Sequence, residues 1–467
     1  MFTSLSLRLR IFLFFAAFAA GALAVVVLAL VMGHARGGGG AGFVQAGLIA
    51  GFGILGLSAG IWLLFDENVA KPIERLAAQM RARVHGGVSG GLDLEAARYL
   101  GDLAHAAEAV TDGLAKGAMI TAQSVALATE KLASERERLT ALLTEIPVAM
   151  IMISPAHKIV LYDGQAAQAL ALIAPPRLQA SIFDYLDEAC LRAAYGQMAR
   201  TGLDAPFSAK GAHGVHEFAA SIKPLGDAKG YMLVLESGAH LDPAAPRPLV
   251  YDFDLLEDPE SEVLLERPLR SLIFTVFDTE TTGLLPHKDE IVQIGAVRVV
   301  NGRIIAGETL DMLVNPGMSI PRSATQIHKI SDHMVAGAPP ITEVAREFHG
   351  FARDSVIVAH NAPFDMAFLR RHAQSTGVQW THPILDTVLL SAIIFGQSEE
   401  HTLDALCNRL DVSIEKRLRH TAIGDAAATA QVLCKLLPML EARGLATLGK
   451  VIEESRKHGR LLDDANV

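Results

Sequence analysis

Four acidic residues and one histidine, spread over three short segments, have the types and spacing to do chemistry: Asp278 with Glu280, Asp365, and His420 with Asp425. The apolar run Leu272 to Phe277 has strand length and leads directly into Asp278-Thr279-Glu280-Thr281-Thr282-Gly283. On a strand, residues i and i+2 share a face, so Asp278 and Glu280 project together. Two carboxylates that close repel each other unless a cation sits between them. Gly283 allows a sharp exit from the strand. Taken alone, an Asp-x-Glu pair is common and more often a solvated strand edge than a metal site.

A second acid lies where the apolar run Val356 to Ala359 ends in His360-Asn361-Ala362-Pro363-Phe364-Asp365. Pro363 suits the opening of a helix continuing to His372, which puts Asp365 in its first turn. An acid there is also what the helix dipole favours for stability alone. The third cluster, His420-Thr421-Ala422-Ile423-Gly424-Asp425, enters an Ala-rich helix over Ala426 to Leu437. Five residues apart on one helix, the two side chains would diverge by about 140°. Both meet one substrate only if His420 lies on the loop before the helix, with Asp425 inside it.

These segments need a sheet to bring them together. Ile291 to Val300 and Arg303 to Val314 flank Asn301-Gly302, the favoured two-residue hairpin turn. The first three strands are therefore expected to be antiparallel neighbours, in an α/β ribonuclease-H-like core with a mixed sheet.

Taken together and in order, the three motifs resemble the DEDDh 3'→5' exonuclease family, which includes the epsilon subunit of bacterial DNA polymerase III. The resemblance covers about Ser271 to Leu440, and Ile327-His328-Lys329-Ile330-Ser331-Asp332, Asp386-Thr387 and His401-Thr402-Leu403-Asp404-Ala405-Leu406-Cys407 add to it. It implies that Asp278, Glu280, Asp365 and Asp425 hold two Mg²⁺ or Mn²⁺ ions, hard cations that prefer oxygen ligands. It implies His420 as general base, a role suited to imidazole near neutral pH. It implies that the backbone around Thr281 and Thr282 meets the terminal nucleotide, and that His328, Asn361 and Phe364 are substrate-side residues, or equally the packed wall of the site. The substrate class is nucleic acid, with single-stranded DNA 3' ends first and RNA or short oligonucleotides as the alternative.

Charge narrows the mode of binding. The chain carries a formal net charge of -10, and residues 271–440 hold 14 Lys and Arg against 18 Asp and Glu. That disfavours a basic face gripping long duplex and leaves a site that takes one strand end. Three scattered cysteines, Cys190, Cys407 and Cys434, make no disulfide framework or metal motif.

The rest of the chain reads as a membrane-tethered sensor. Ile11 to Gly33 and Phe43 to Phe65 are each 23 residues without a charge, long enough to cross a bilayer. Arg8 and Arg10 precede the first span, and Lys71, Arg75, Arg81 and Arg83 follow the second. Basic outer flanks put both termini and the catalytic domain in the cytoplasm, on the inner membrane. Asp66 to Leu76, with Pro72 opening a helix, resembles the first helix of a HAMP module. Leu92 to Ile146, with Leu100, Leu103, Val110 and Leu114, suits either a parallel homodimeric helical seam or a helix packed on its own domain. Strands over Pro147 to Ile153, Lys158 to Tyr162, His216 to Lys223 and Gly230 to Glu236, with a helix over Gln165 to Leu172, resemble an α+β PAS-like domain. Its ligand is unknown; His157, His213 and His216 are lone histidines. The expected divisions are 1–66 membrane hairpin, 67–138 HAMP-like and helical linker, 139–238 PAS-like sensor, 239–270 extended linker, 271–440 exonuclease and 441–467 tail. Such a front end usually serves a sensor kinase, but no Gly-rich kinase ATP motif follows. The competing function is a non-catalytic signalling protein that only binds nucleic acid.

Overall fold

The computed structural model describes residues 7–35, 40–86, 98–100, 103, 105–110, 148–226, 229–236, 249–256, 263–397, 399–415 and 417–466. The chain forms two compact units, 1–122 and 123–467.

In the first unit, helices α1 (Leu7–Ala35) and α2 (Gly40–Phe65) pack as an antiparallel hairpin. Small residues let them approach: the Leu57 side chain lies over Gly21, and Val25 over Gly53. Their outer faces expose Phe15, Leu23, Val44, Phe52, Leu55 and Trp62, each more than 60% accessible. So continuous an apolar surface is stable in lipid and unstable in water. Both helices are long and apolar enough to cross a membrane. Helix α3 (Lys71–Gly86) carries Pro72 as its second residue, the early helical position expected for it. A π turn over Asp66–Ala70 joins it to α2 without a break, with the Lys71 N–H donating to the Asp66 carbonyl. Wider winding is a common way to pass a proline, which lacks an N–H and crowds the preceding turn. Most of Leu92 to Ile146, including Leu114, lies outside the described residues.

The second unit holds two sheets. The first is wholly antiparallel, ordered β3-β4-β5-β1-β2-β6. Its strands are β1 (Val148–Ile153), β2 (Ile159–Tyr162), β3 (Ala205–Lys210), β4 (Glu217–Pro224), β5 (Tyr231–Glu236) and β6 (Val250–Tyr251), with helices α4 (Gly164–Ala171) and α5 (Glu188–Thr201) between β2 and β3. This is the α+β arrangement expected of the PAS-like segment. Strand β3 carries a Pro and two Ala among its six residues, which hid its period from sequence. His157 is buried and its Nδ1 lies 2.7 Å from the Tyr231 hydroxyl; His213 and His216 sit apart from it, on the β3–β4 turn.

The second sheet is mixed, ordered β11-β10-β7-β8-β9. Strands β7 (Ile273–Thr281), β8 (Ile291–Val300) and β9 (Arg303–Leu313) are antiparallel, and β10 (Val356–Ala359) and β11 (Ile384–Asp386) run parallel to β7. Asn301 and Gly302 both have positive φ, 49° and 70°, the pair a type I′ turn demands. Helices α6 (Arg322–His328), α7 (Ile341–Phe351), α8 (Ala362–Arg371), α9 (Thr387–Phe395) and α10 (Ala422–Ala442) complete the layers. Phe277, Phe348, Phe351, Met366 and Phe368 fill one interface between sheet and helices.

Two expected boundaries differ. The linker over 239–270 is not wholly extended: Val250–Tyr251 adds a sixth strand beside β2, and Val250 and Leu255 are buried. The expected tail over 441–467 contains helix α11 (Leu448–Arg456), and Asn466 exchanges hydrogen bonds with the backbone of Ile384. Leu448, Val451 and Ile452 supply its apolar face, a helical spacing the short segment obscured.

Candidate active site

Strand β7 is buried at every residue from Ile273 to Phe277 and then alternates, with Asp278 and Glu280 half-buried. They share a face, opposite Gly295 and Gln293 of β8. Asp425, in the first turn of α10, joins them: one carboxylate oxygen from each of Asp278, Glu280 and Asp425 lies within 4.8 Å of the others.

Close packing brings α10 there. A Cβ on Gly295 would sit 2.1 Å from the Ile423 nitrogen, so only glycine lets the helix start press onto β8. A Cβ on Gly424 would meet the Leu418 carbonyl oxygen. Gln293 adds a polar clamp: its Oε1 accepts from the Ala422 N–H at 3.1 Å, while its Nε2 donates to Asp311 at 2.7 Å. The Thr421 side chain caps the helix by accepting from the Gly424 N–H at 3.2 Å. His420 lies on the turn just before this helix, exposed and with φ 58°. Its ring and its backbone N–H both act on the Asp425 carboxylate.

Asp365 comes from the first turn of α8 and is 3% exposed. Its Oδ1 accepts from the Thr279 N–H at 3.1 Å and the Thr279 hydroxyl at 2.5 Å. Asp386 shapes the turn before α8, accepting from Asn361 and Ala362 N–H at 3.3 and 2.6 Å and from Val388 N–H at 2.8 Å. Asn361 adopts a left-handed conformation there, φ 67°, which asparagine tolerates better than most residues. Phe364 packs edge-to-face on Phe368.

On the far flank, the Thr281 hydroxyl donates to the Gly283 carbonyl at 2.7 Å. The Thr282 oxygen accepts from the Glu290 N–H at 3.0 Å. Both hydroxyls thus serve the turn. His328 is 3% exposed and accepts from the Ile330 N–H at Nδ1, while its buried Nε2 has no hydrogen-bond partner among the described residues. Sequence reasoning passed over Thr279, Gln293, Gly295 and Gly424 as partners in positioning. A glycine inside the apolar run of β8 was the available signal, since strands normally avoid it unless backbones approach closely.

The electrostatics are those of an uncompensated acidic cluster. Burial, then the charges of Asp365, Glu280 and Asp425, holds the Asp278 carboxyl well above the usual carboxylate range. Burial and the charges of Asp425 and Asp365 push Glu280 up to about 8. Burial pushes Asp365 up to about 7 against the lowering pull of the Thr279 bonds, and burial also raises Asp425. Hard divalent cations fit such a donor set, because they replace the missing positive charge and favour carboxylate oxygen.

Similarity to known proteins follows the same residues. An exonuclease family model, RNase T, matches residues 275–433. A DNA polymerase III subunit epsilon-like protein of Rhodobacter capsulatus is 34% identical over 91% of this chain and 94% of its own length, so the likeness runs well beyond the exonuclease segment. The PolC-type DNA polymerase III of Caldanaerobacter subterraneus is 37% identical over 41% of this chain and 13% of its own. Among solved structures, exonuclease X in complex with 5' overhanging duplex DNA is 26% identical over 39% of this chain and 99% of that one, with a TM-score of 0.32. E. coli exonuclease I in complex with a dT13 oligonucleotide is 18% identical over 37% and 42%, with a TM-score of 0.33. With an exonuclease domain on a mixed α/β sheet and a relative matched almost end to end, the chain belongs to the DNA polymerase III epsilon-like family of exonucleases.

Proposed function

We propose that this protein is a membrane-anchored 3'→5' exonuclease that removes nucleoside monophosphates from single-stranded DNA ends. The observation that carries this reading is the cluster of Asp278, Glu280 and Asp425 within 4.8 Å, with Asp365 beside it and His420 on the adjoining turn. Asp278, Glu280, Asp365 and Asp425 would hold two Mg²⁺ or Mn²⁺ ions. Bound there, the ions supply Lewis-acid activation of a water and stabilise the leaving 3'-oxygen. His420 takes the proton from the attacking water, and its exposed turn leaves it free to reach the substrate. The buried Asp365 is held rigidly by Thr279, so the acid set keeps its spacing. The terminal nucleotide would lie against the Thr281–Thr282 backbone, with His328, Asn361 and Phe364 on the substrate side. The names of the relatives, DNA polymerase III proteins, favour DNA over RNA.

The apolar outer faces of α1 and α2 support anchoring in a membrane. The basic flanks favour a topology with both termini and the catalytic domain on the cytoplasmic side of the inner membrane. The PAS-like domain, between membrane and enzyme, regulates activity.

The test uses the full-length protein in detergent with Mg²⁺ or Mn²⁺ on matched 5'-labelled single-stranded DNA and RNA. A ladder shortening one nucleotide at a time, lost in Asp278→Ala with Glu280→Ala, supports the reading and ranks the sugars. No metal-dependent shortening of either polymer overturns it in favour of a binding-only protein.

A further inference from the structure

The PAS-like sheet and the exonuclease sheet share one apolar core. Ile273, Val300 and Ile305 of the exonuclease strands pack into the cluster containing Leu178, Ile182, Val250 and Leu255. At its centre lies a buried ion pair, Arg298 Nε to Glu308 Oε2 at 2.8 Å, with side chains 1% and 0% exposed. Both partners belong to the exonuclease sheet, yet three of their four remaining hydrogen bonds cross the boundary. Glu308 Oε1 accepts from the Tyr162 hydroxyl at 2.9 Å and the Leu178 N–H at 2.5 Å. Arg298 donates to the Leu178 carbonyl at 3.2 Å and to the Phe351 carbonyl at 3.1 Å. Arg177, 2% exposed, donates to the Arg353 carbonyl at 2.9 Å and pairs with Asp184, which also meets the Arg353 guanidinium at 3.1 Å.

These contacts grip the start of β7, the β8–β9 hairpin and the 351–354 turn that feeds β10. Strands β7 and β8 carry site residues toward their other ends, and β10 leads into the segment that holds Asp365. Ile273 is five residues from Asp278, about 17 Å along β7 at the usual strand rise. Arg298 is three residues from Gly295, against which the start of α10 packs. The 351–354 turn precedes the four residues of β10, and the His360–Asp365 segment follows them.

We infer that Tyr162 and Arg177, side chains of the PAS-like domain, are positioning residues for the exonuclease site, acting through Glu308 and the 351–354 turn. This deepens the proposed regulation by naming its contact, and it rests on the exonuclease reading. The exonuclease sheet is then not an independent module. A fragment beginning near Ser271 keeps the Arg298–Glu308 pair but strips Glu308 Oε1 of both its donors and Arg298 of the Leu178 carbonyl, and buried charges tolerate unmet hydrogen bonds poorly.

The experiment compares full-length wild type in detergent with Tyr162→Phe and Tyr231→Phe. Each variant deletes one buried hydroxyl of the same domain, but Tyr231 bonds only inside it, to His157. Steady-state shortening of a labelled oligonucleotide gives kcat and KM, and amide hydrogen exchange follows β8 and β10. The inference expects Tyr162→Phe to lower kcat roughly three- to tenfold at unchanged KM and to speed exchange in Ile291–Val300 and Val356–Ala359. Tyr231→Phe stays at the wild-type level in both. Wild-type values for Tyr162→Phe, or equal losses in the two variants, overturn it. If the wild type shows no metal-dependent shortening, the exonuclease reading fails and the exchange arm alone decides whether the contact acts on these strands.

Discussion

The two ends of the exonuclease sheet bury charge in opposite ways. At the end facing the PAS-like domain, Arg298 and Glu308 are almost inaccessible, paired with each other, and hydrogen-bonded to backbone and to Tyr162. At the other end, Asp278, Glu280, Asp365 and Asp425 crowd together and burial raises each carboxyl. A buried charge with its counter-charge and hydrogen bonds is a finished piece of structure. A buried cluster of one sign is unfinished, and its stability waits on a ligand of the opposite sign. The same strands, β7 and β8, run between the two ends.

The largest expected effect is at the open end. Asp278→Asn removes a ligand from the acid set and lowers nuclease activity about 10³-fold or more, because several kcal/mol of charge stabilisation is lost at tenfold per 1.4 kcal/mol. The chain still folds, and circular dichroism beside the rate measurement separates the two. The closed end responds through stability instead. Glu308→Gln leaves Arg298 buried without a counter-charge and costs about 3–5 kcal/mol in thermal unfolding, while a joint Arg298→Met, Glu308→Leu replacement costs far less. Equal losses for both would show that shape, not charge pairing, holds that end.

Between the two lies Gly295→Ala. Its Cβ would fall 2.1 Å from the Ile423 nitrogen, so the start of α10 must shift and carry Asp425 with it. A displacement of about 1 Å at a catalytic group costs roughly 100-fold in kcat, measured beside an unchanged oligonucleotide affinity. The smallest effect is the pH dependence of chelator-treated protein. Glu280 is raised to about 8 and Asp365 to about 7 in the fold, so the folded state holds these protons more tightly than the unfolded chain. The stability this gives is complete at low pH and is lost as pH rises from about 4 to 8. Melting temperatures at pH 5 and pH 8 should fall in that order, and a rise would contradict it.

How much of this was legible in the sequence follows from what each feature depends on. The carboxylates could be read because i, i+2 spacing on a strand and the first turn of a helix are local geometry. So could the Asn301-Gly302 turn, which local backbone preference decides. The Arg298–Glu308 pair could not: both sit at ordinary strand positions, and only the arrival of residues more than 100 positions away makes them buried. Thr279 escaped for a related reason. It faces away from Asp278 and Glu280, and its partner Asp365 is 86 residues further on. The C-terminal helix and strand β6 were hidden by shortness, since nine and two residues carry too little periodicity to stand out.

The central claim is that the acid cluster is built to hold divalent cations, and thermal unfolding of the full-length protein at pH 7.5 during a Mn²⁺ titration tests it most directly. The account predicts that wild type gains about 2.7 kcal/mol at a hundredfold excess over the dissociation constant, while Asp278→Asn melts higher than wild type without metal and gains little from it. A wild type indifferent to Mn²⁺ and Mg²⁺, with Asp278→Asn melting lower than wild type in chelator, would contradict it.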